Sequence, residues 1–200
     1  MGVSGFFEEL VRKTAHRFPK QVKDIYIKAS SYYKSICQRE AQKPEGIRML
    51  NEEIIFPSIA FYKAIIENTG DTDRAYDVVS RCYEDYLRKK AEKMRDKCRL
   101  SVSYPFVTSI AGDFIKRQFN DKAGFEAINR SKGWKLCHID IVKCPYHEYC
   151  KLYGCEELTT AFCDADDIIF EHLHRGISWD RTLTLGRGDD RCDFIISVDD

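Results

Sequence analysis

The chain has 200 residues, 44% of them hydrophobic and 12% aromatic, enough for one sizeable core. Lysine plus arginine equals aspartate plus glutamate at 32 each, so charge gives no reason to expect a nucleic-acid partner. No apolar stretch approaches the length needed to span a bilayer, so no membrane partner is expected either.

The start, MGVSGFFEELVRK, lacks the charged and continuous apolar regions of a signal peptide, and Phe6 stands where a myristoylation signal wants Ser or Thr. Nine cysteines, odd in number and irregular in spacing, fit reduced thiols better than a disulfide framework. The expected location is the cytoplasm.

Residues 6–17 form an amphipathic pattern ended near Pro19, and 20–40 place Val22, Ile25, Tyr26, Ala29, Tyr33, Ile36 and Cys37 at helical spacing. After Pro44 and Gly46, residues 47–68 resume the helical pattern, with Pro57 expected to kink or split it. Asn68-Thr69-Gly70 stops that helix. Asp71 and Thr72 offer an N-cap for 73–97, which is apolar on one side and densely charged on the other. Residues 105–119 predict a further helix.

After Gly124 the texture changes. FEAINRS, a turn at Lys132-Gly133 and WKLCHIDIVKC read as a hairpin. Pro145 begins a short helix through YHEYCKLYG, and 156–173 predict a second helix containing FCDADD. RTLTLGRGDDRCDF then reads as a closing hairpin, with 181–185 as its outgoing strand. The expected fold is α+β: N-terminal helices, then a four-stranded antiparallel sheet (β-β-α-α-β-β) packed against helices. The expected organisation is a single domain, helical over 1–122 and α+β over 123–200.

Three stretches carry chemistry. In CPYHEYC and beyond, Cys144, Cys150, Cys155 and Cys163 are separated by five, four and seven residues. None of these gaps is the tight knuckle of a structural zinc site or a standard iron–sulfur spacing, so no metal or other cofactor is expected; if one bound, these four would be its ligands. The alternative is packing by small thiols. In CDADD, Asp164, Asp166 and Asp167 crowd one helical turn, so one of them could titrate high enough to serve as a base; an exposed acidic turn is the alternative. In the closing hairpin, Arg181 can grip a carboxylate with two prongs, Gly186 and Gly188 allow a tight turn, and Cys192 could act as a nucleophile. Asp193 falls on the opposite strand face from Cys192. The Arg187–Asp189 tripeptide is coincidental as an integrin-type motif. His138, Asp140 and His147 complete the candidates, each equally readable as a structural hydrogen-bonder.

The series CPYHEYC, FCDADD and RTLTLGRGDDRCDF, over about residues 125–194, resembles the L-2-amino-thiazoline-4-carboxylic acid hydrolase family. The upstream FPSIAFYKAIIENTGDTDRAYDVV resembles that family's helical lead-in. The resemblance implies hydrolysis of a C–N or C–S bond in a small cyclic amidine, opening a carboxylate-bearing ring to N-carbamoyl-L-cysteine. Its motifs include these cysteines and aspartates without fixing their roles; on chemical grounds Cys192 or Cys163 is assigned as the attacking or water-orienting group and Asp164, Asp166 or Asp167 as proton carriers. Arg181, with Thr182, His147 and Asp193, would bind the substrate. The expected partner is that small molecule, and a homo-oligomer is compatible. The same plan is similar in layout to vinyl-reductase-type ligand-binding domains, so a noncatalytic binding module and a cysteine-bound metal protein stand as alternatives.

Overall fold

The computed structural model describes residues 5–99 and 103–198, apart from the Tyr104 side chain; the Met1-Gly2 start lies outside them. The fold is α+β, with a four-stranded antiparallel sheet. Helices α1 (Gly5–Arg17), α2 (Val22–Arg39), α4 (Phe56–Thr69) and α5 (Thr72–Arg99) pack on one another. The helix α4 is buried on almost every side, from Phe56 through Tyr62, because its sequence is apolar all round. By contrast, α5 buries a single stripe from Ala75 to Cys98 and leaves its charged face to solvent, as its sequence predicts. Asp71 caps its first turn by accepting the Arg74 N–H at 2.9 Å.

The expected break at Pro57 takes a different form. Residues 45–69 run on without interruption, from α3 (Glu45–Leu50) through a π-type turn (Asn51–Ile55) into α4. The Phe56 N–H reaches back five residues to the Asn51 carbonyl. Pro57 has no N–H to continue the series, which deprives the Glu52 carbonyl of its next partner. The Tyr33 hydroxyl on α2 supplies the missing bond at 3.0 Å. Local widening and one side-chain donor thus absorb a proline that would otherwise kink the helix.

After α6 (Tyr104–Gln118), strands β1 (Glu126–Asn129) and β2 (Leu136–Lys143) form the predicted hairpin. Helices α7 (Pro145–Leu152) and α8 (Thr159–Phe170) follow, then β3 (Ile177–Asp180) and β4 (Cys192–Val198). The strand order is β1-β2-β4-β3. Cys137, Ile139, Ile141, Cys192, Phe194 and Ile196 are buried on one face of the sheet. α6 and α8 close that face: Phe119 meets Phe194 at 5.1 Å, while Phe170 stacks on Trp179 at 4.4 Å.

Two expected boundaries move. The outgoing strand of the closing hairpin is Ile177–Asp180, not 181–185. The N–H groups of Thr182 and Leu183 go to the Asp193 carboxylate at 2.9 and 2.6 Å, and that of Thr184 goes to Asp189 at 2.7 Å. Side-chain acceptors have replaced the strand ladder, so the chain leaves the sheet in spite of its alternating pattern. A 3-10 turn at Leu185–Arg187 follows, closed by Gly188 at φ 95°. Helix α8 ends at Phe170 rather than 173. Arg95 takes the Ile168 carbonyl at 2.6 Å and the Glu171 carbonyl at 3.3 Å, and His172 turns left-handed at φ 58°.

The π-turn yields a double-mutant prediction. Tyr33→Phe should cost about 1 kcal/mol in urea unfolding, because the Glu52 carbonyl loses its donor. In a Pro57→Ala background, where residue 57 regains an N–H, the same change should cost measurably less. Equal costs in both backgrounds would contradict this account of the turn.

Candidate functional site

Helix α8 distributes its three carboxylates into three settings. Asp164 points outward and pairs with Arg187 at 2.6 Å. Asp167 accepts the Trp179 indole N–H at 2.9 Å and one Arg181 nitrogen at 3.1 Å. Asp166 turns inward, its side chain 17% exposed, with Arg181 at 3.5 Å. Burial raises its carboxyl from 3.8 to about 7, with the Arg181 charge opposing and Asp167 and Asp164 adding to the rise. The crowding predicted from CDADD therefore perturbs one member, and desolvation is the larger cause.

The Arg181 side chain is only 4% exposed. One prong donates to the Cys163 carbonyl at 2.5 Å, and the other meets Asp167. The fork expected to face a substrate carboxylate is filled by the protein's own acceptors. Arg181 thereby fastens the segment after β3 to α8.

That fastening delivers the 3-10 turn to two thiols. The Leu185 N–H points at the Cys192 sulfur at 3.3 Å, and the Gly186 N–H serves Cys163. A Cβ on Gly186 would lie 2.9 Å from both the Cys163 sulfur and a Thr159 methyl, so no larger residue fits without displacement. Burial pushes the Cys163 thiol up to about 12 and the Cys192 thiol up to about 11. Cys144, at the start of α7, is also raised by burial, although the His147 and Tyr146 N–H groups partly offset it; Cys163 and Cys192 stand close enough to add to its rise. Cys163, Cys192, Arg181 and Asp166 are thus brought together, and the thiols are protonated at neutral pH.

Cys150 and Cys155 form a separate contact at the end of α7, where the Cys155 thiol meets the Cys150 carbonyl at 3.4 Å. The four cysteines considered as metal ligands are not gathered into one set. Among the described residues, no group of three or more His, Cys, Asp or Glu could hold a metal ion.

The remaining substrate-binding candidates lie elsewhere. Asp193 faces away from Cys192 and accepts the Thr182 hydroxyl at 2.7 Å as well as two backbone N–H groups. Burial opposes ionisation there, but these donors hold its carboxyl below the ordinary value. Thr182 and Asp193 therefore build the turn on the far side of the sheet from Asp166. His138 and Asp140 share that outer face at 2.9 Å, with Arg130 on the other Asp140 oxygen at 3.1 Å. His147 has a buried Nδ1 without a hydrogen-bond partner.

Asp166 lines a cavity of about 50 Å³ with Tyr83, Tyr86, Lys90, Phe125 and Tyr146. The Tyr83 and Tyr146 hydroxyls lie 3.1 Å apart, and burial raises both. Burial lowers Lys90. Tyr83, Lys90 and Tyr146 were not singled out from sequence. Tyr83, Tyr86 and Lys90 recur at helical spacing on one face of α5, and that run of hydroxyls ending in a cation was the available signal.

A comparison with protein-family profiles matches residues 48–196 to L-2-amino-thiazoline-4-carboxylic acid hydrolase. The chain belongs to that family. The matched span of this hydrolase-family member starts just before the π-turn and ends in β4, so it contains the cavity, both thiols and nearly all of the sheet. No curated protein matches the chain. Among solved structures, it is similar to the Fe(II) unliganded H-NOX protein from K. algicida, at TM-score 0.42 and 10% identity over 98% of this chain and 95% of that one. A mutant H-NOX domain from Shewanella oneidensis in the Fe(II)CO ligation state matches at TM-score 0.37 and 9% identity, over 98% of each chain.

The raised Asp166 carboxyl has a stability consequence of fixed sign. Its folded value lies above its unfolded value, so its contribution is fully present below about pH 4 and is lost as pH rises to about 7. At about 1.4 kcal/mol per unit, the loss is on the order of 4 kcal/mol. Asp166→Asn should remove that part of the slope, so the variant should gain stability relative to the native chain between pH 4 and 7 in urea unfolding. A constant stability difference across that range would contradict the shift.

Proposed function

We propose that the protein hydrolyses a small cyclic amidine of the 2-amino-thiazoline-4-carboxylate type, with Asp166 as the proton carrier. The carrying observation is a desolvated carboxyl, raised to about 7, at the wall of an aromatic cavity. A group titrating near the working pH both takes and gives protons readily. Family membership supports the reaction class.

Water adds to the ring carbon between nitrogen and sulfur. Asp166 takes a proton from that water and passes it to the ring nitrogen. On collapse it moves the hydroxyl proton to the departing sulfur, the C–S bond breaks, and a urea and a thiol result. One water is consumed and no other reactant is needed. The Tyr83 and Tyr146 hydroxyls donate to the oxygen that develops negative charge. Cys163 and Cys192 remain neutral and hold the Leu185-Gly186 turn, since thiolates at about 12 and 11 are scarce at pH 7. Arg181 is a positioning residue that limits how far the Asp166 carboxyl rises. The same cavity also suits a binding module without turnover, a reading favoured by its aromatic lining; such a module would bind the ring and release it unchanged.

Asp166→Asn should lower kcat/KM on 2-amino-thiazoline-4-carboxylate at least 100-fold while the fold stays intact, and the native pH profile should rise through about 7. Cys163→Ser and Cys192→Ser should each stay within about threefold, because neither thiol attacks. A serine variant that loses turnover at unchanged thermal stability, with Asp166→Asn still active, would overturn this assignment in favour of covalent thiol catalysis.

A further inference from the structure

Tyr86 and Lys90 line two spaces at once: the small cavity holding Asp166, and an open surface groove of about 740 Å³ that also touches Phe6, Glu9, Glu53 and Asp85. The two side chains form the wall between groove and cavity. The Lys90 ammonium sits 4.5 Å from the centre of the Tyr86 ring, and the Tyr86 hydroxyl donates to Glu53 at 3.1 Å. Glu53 belongs to the π-turn, so the widened backbone forced by Pro57 places a carboxylate at this wall. Tyr86 is also packed edge-on by Phe6 at 5.6 Å, on its groove side.

A cavity of about 50 Å³ holds a few water molecules but not a substituted five-membered ring. A ring that reaches Asp166 must displace part of the wall. Tyr86 and Lys90 are the half-buried part of it shared with the groove, and long side chains move at far lower cost than the buried Phe125 or Ile169 behind them. Among the described residues lining the cavity, Lys90 is the one cation and Asp166 the one carboxylate. The lining therefore carries one basic and one acidic group.

We infer that Lys90, and not Arg181, receives the substrate's carboxylate, and that the substrate enters through the Tyr86–Lys90 wall from the groove beside Glu53. This rests on the hydrolase reading for the identity of the substrate. The ligand class is a small flat ring carrying a carboxylate at one end and an amidine at the other. Its carboxylate exchanges with Glu53 at the ammonium, its ring takes the place beside Tyr86, and its amidine faces Asp166. Lys90 gains a partner without losing its aromatic neighbour. Both Nη nitrogens of Arg181 already serve acceptors on α8.

The test uses a ring the enzyme cannot open. Calorimetric titration of the native chain with 2-aminothiazole-4-carboxylate and with its carboxamide should show the carboxylate binding at least tenfold more tightly. Lys90→Met should erase that preference, Lys90→Arg should retain most of it, and Glu53→Gln should tighten the carboxylate several-fold by removing its competitor. Lys93→Met, on the exposed face of the same helix, should leave the preference intact. Thermal unfolding of each variant checks the fold, and the arginine and Glu53 variants keep the test open if the methionine variant does not fold. Preference that survives in Lys90→Met, or a native chain with no preference, would overturn the inference. Lys90-dependent binding without turnover of the thiazoline would uphold this site while removing the hydrolase reading.

Discussion

The buried guanidinium of Arg181 is the constraint on which the rest of the site depends. A charge held at 4% exposure must be paired, and here it is shared between the Cys163 carbonyl, Asp167 and, more distantly, Asp166. Because those acceptors sit on α8, the chain leaving β3 is pinned to that helix. The pin sets the position of the Leu185–Arg187 turn, whose first two N–H groups meet the Cys192 and Cys163 sulfurs. Gly186 can lie against Cys163 only because it has no side chain. The same positive charge lies near enough to Asp166 to limit the rise that burial imposes on it. Loss of this cation would leave acidic groups without their counter-charge and free the turn, so structure and electrostatics fail together.

Two different principles position charge on the two faces of the sheet. On the outer face, Asp193 and Asp140 are buried but richly supplied with donors, which hold Asp193 ionised. On the inner face, Asp166 has little beyond a distant guanidinium and aromatic walls, so its neutral form persists to about pH 7. A carboxylate whose hydrogen bonds are satisfied builds the fold. One left under-supplied among aromatic walls is available for proton transfer.

Much of this was legible in the sequence. The helical stripes of α1, α2 and α5, the β1–β2 hairpin and the antiparallel sheet follow from periodicity and turn residues. CDADD pointed to a perturbed carboxylate, and its helix supplies one. The closing motif was harder to read because its residues serve one another. Arg181 and Asp193 look like binding groups and Cys192 like a nucleophile in a linear sequence, whereas folding turns each toward an acceptor or donor only a few residues or one helix away. RTLTL alternates like a strand, but no local rule reveals that Asp193 and Asp189 take its N–H groups. Tyr83 and Tyr146 were hidden for a different reason. They are 63 residues apart, and their hydroxyl contact exists only once α5 packs near α7 and α8.

The central claim is that desolvation holds the Asp166 carboxyl near neutrality. Carbon-13 NMR of carboxyl-labelled protein, with Asp166→Asn used to assign its resonance, reads that directly. The account predicts a side-chain carboxyl titrating with a midpoint near 7 in the ligand-free chain. A midpoint near 4, the ordinary value for an aspartate in water, would contradict it.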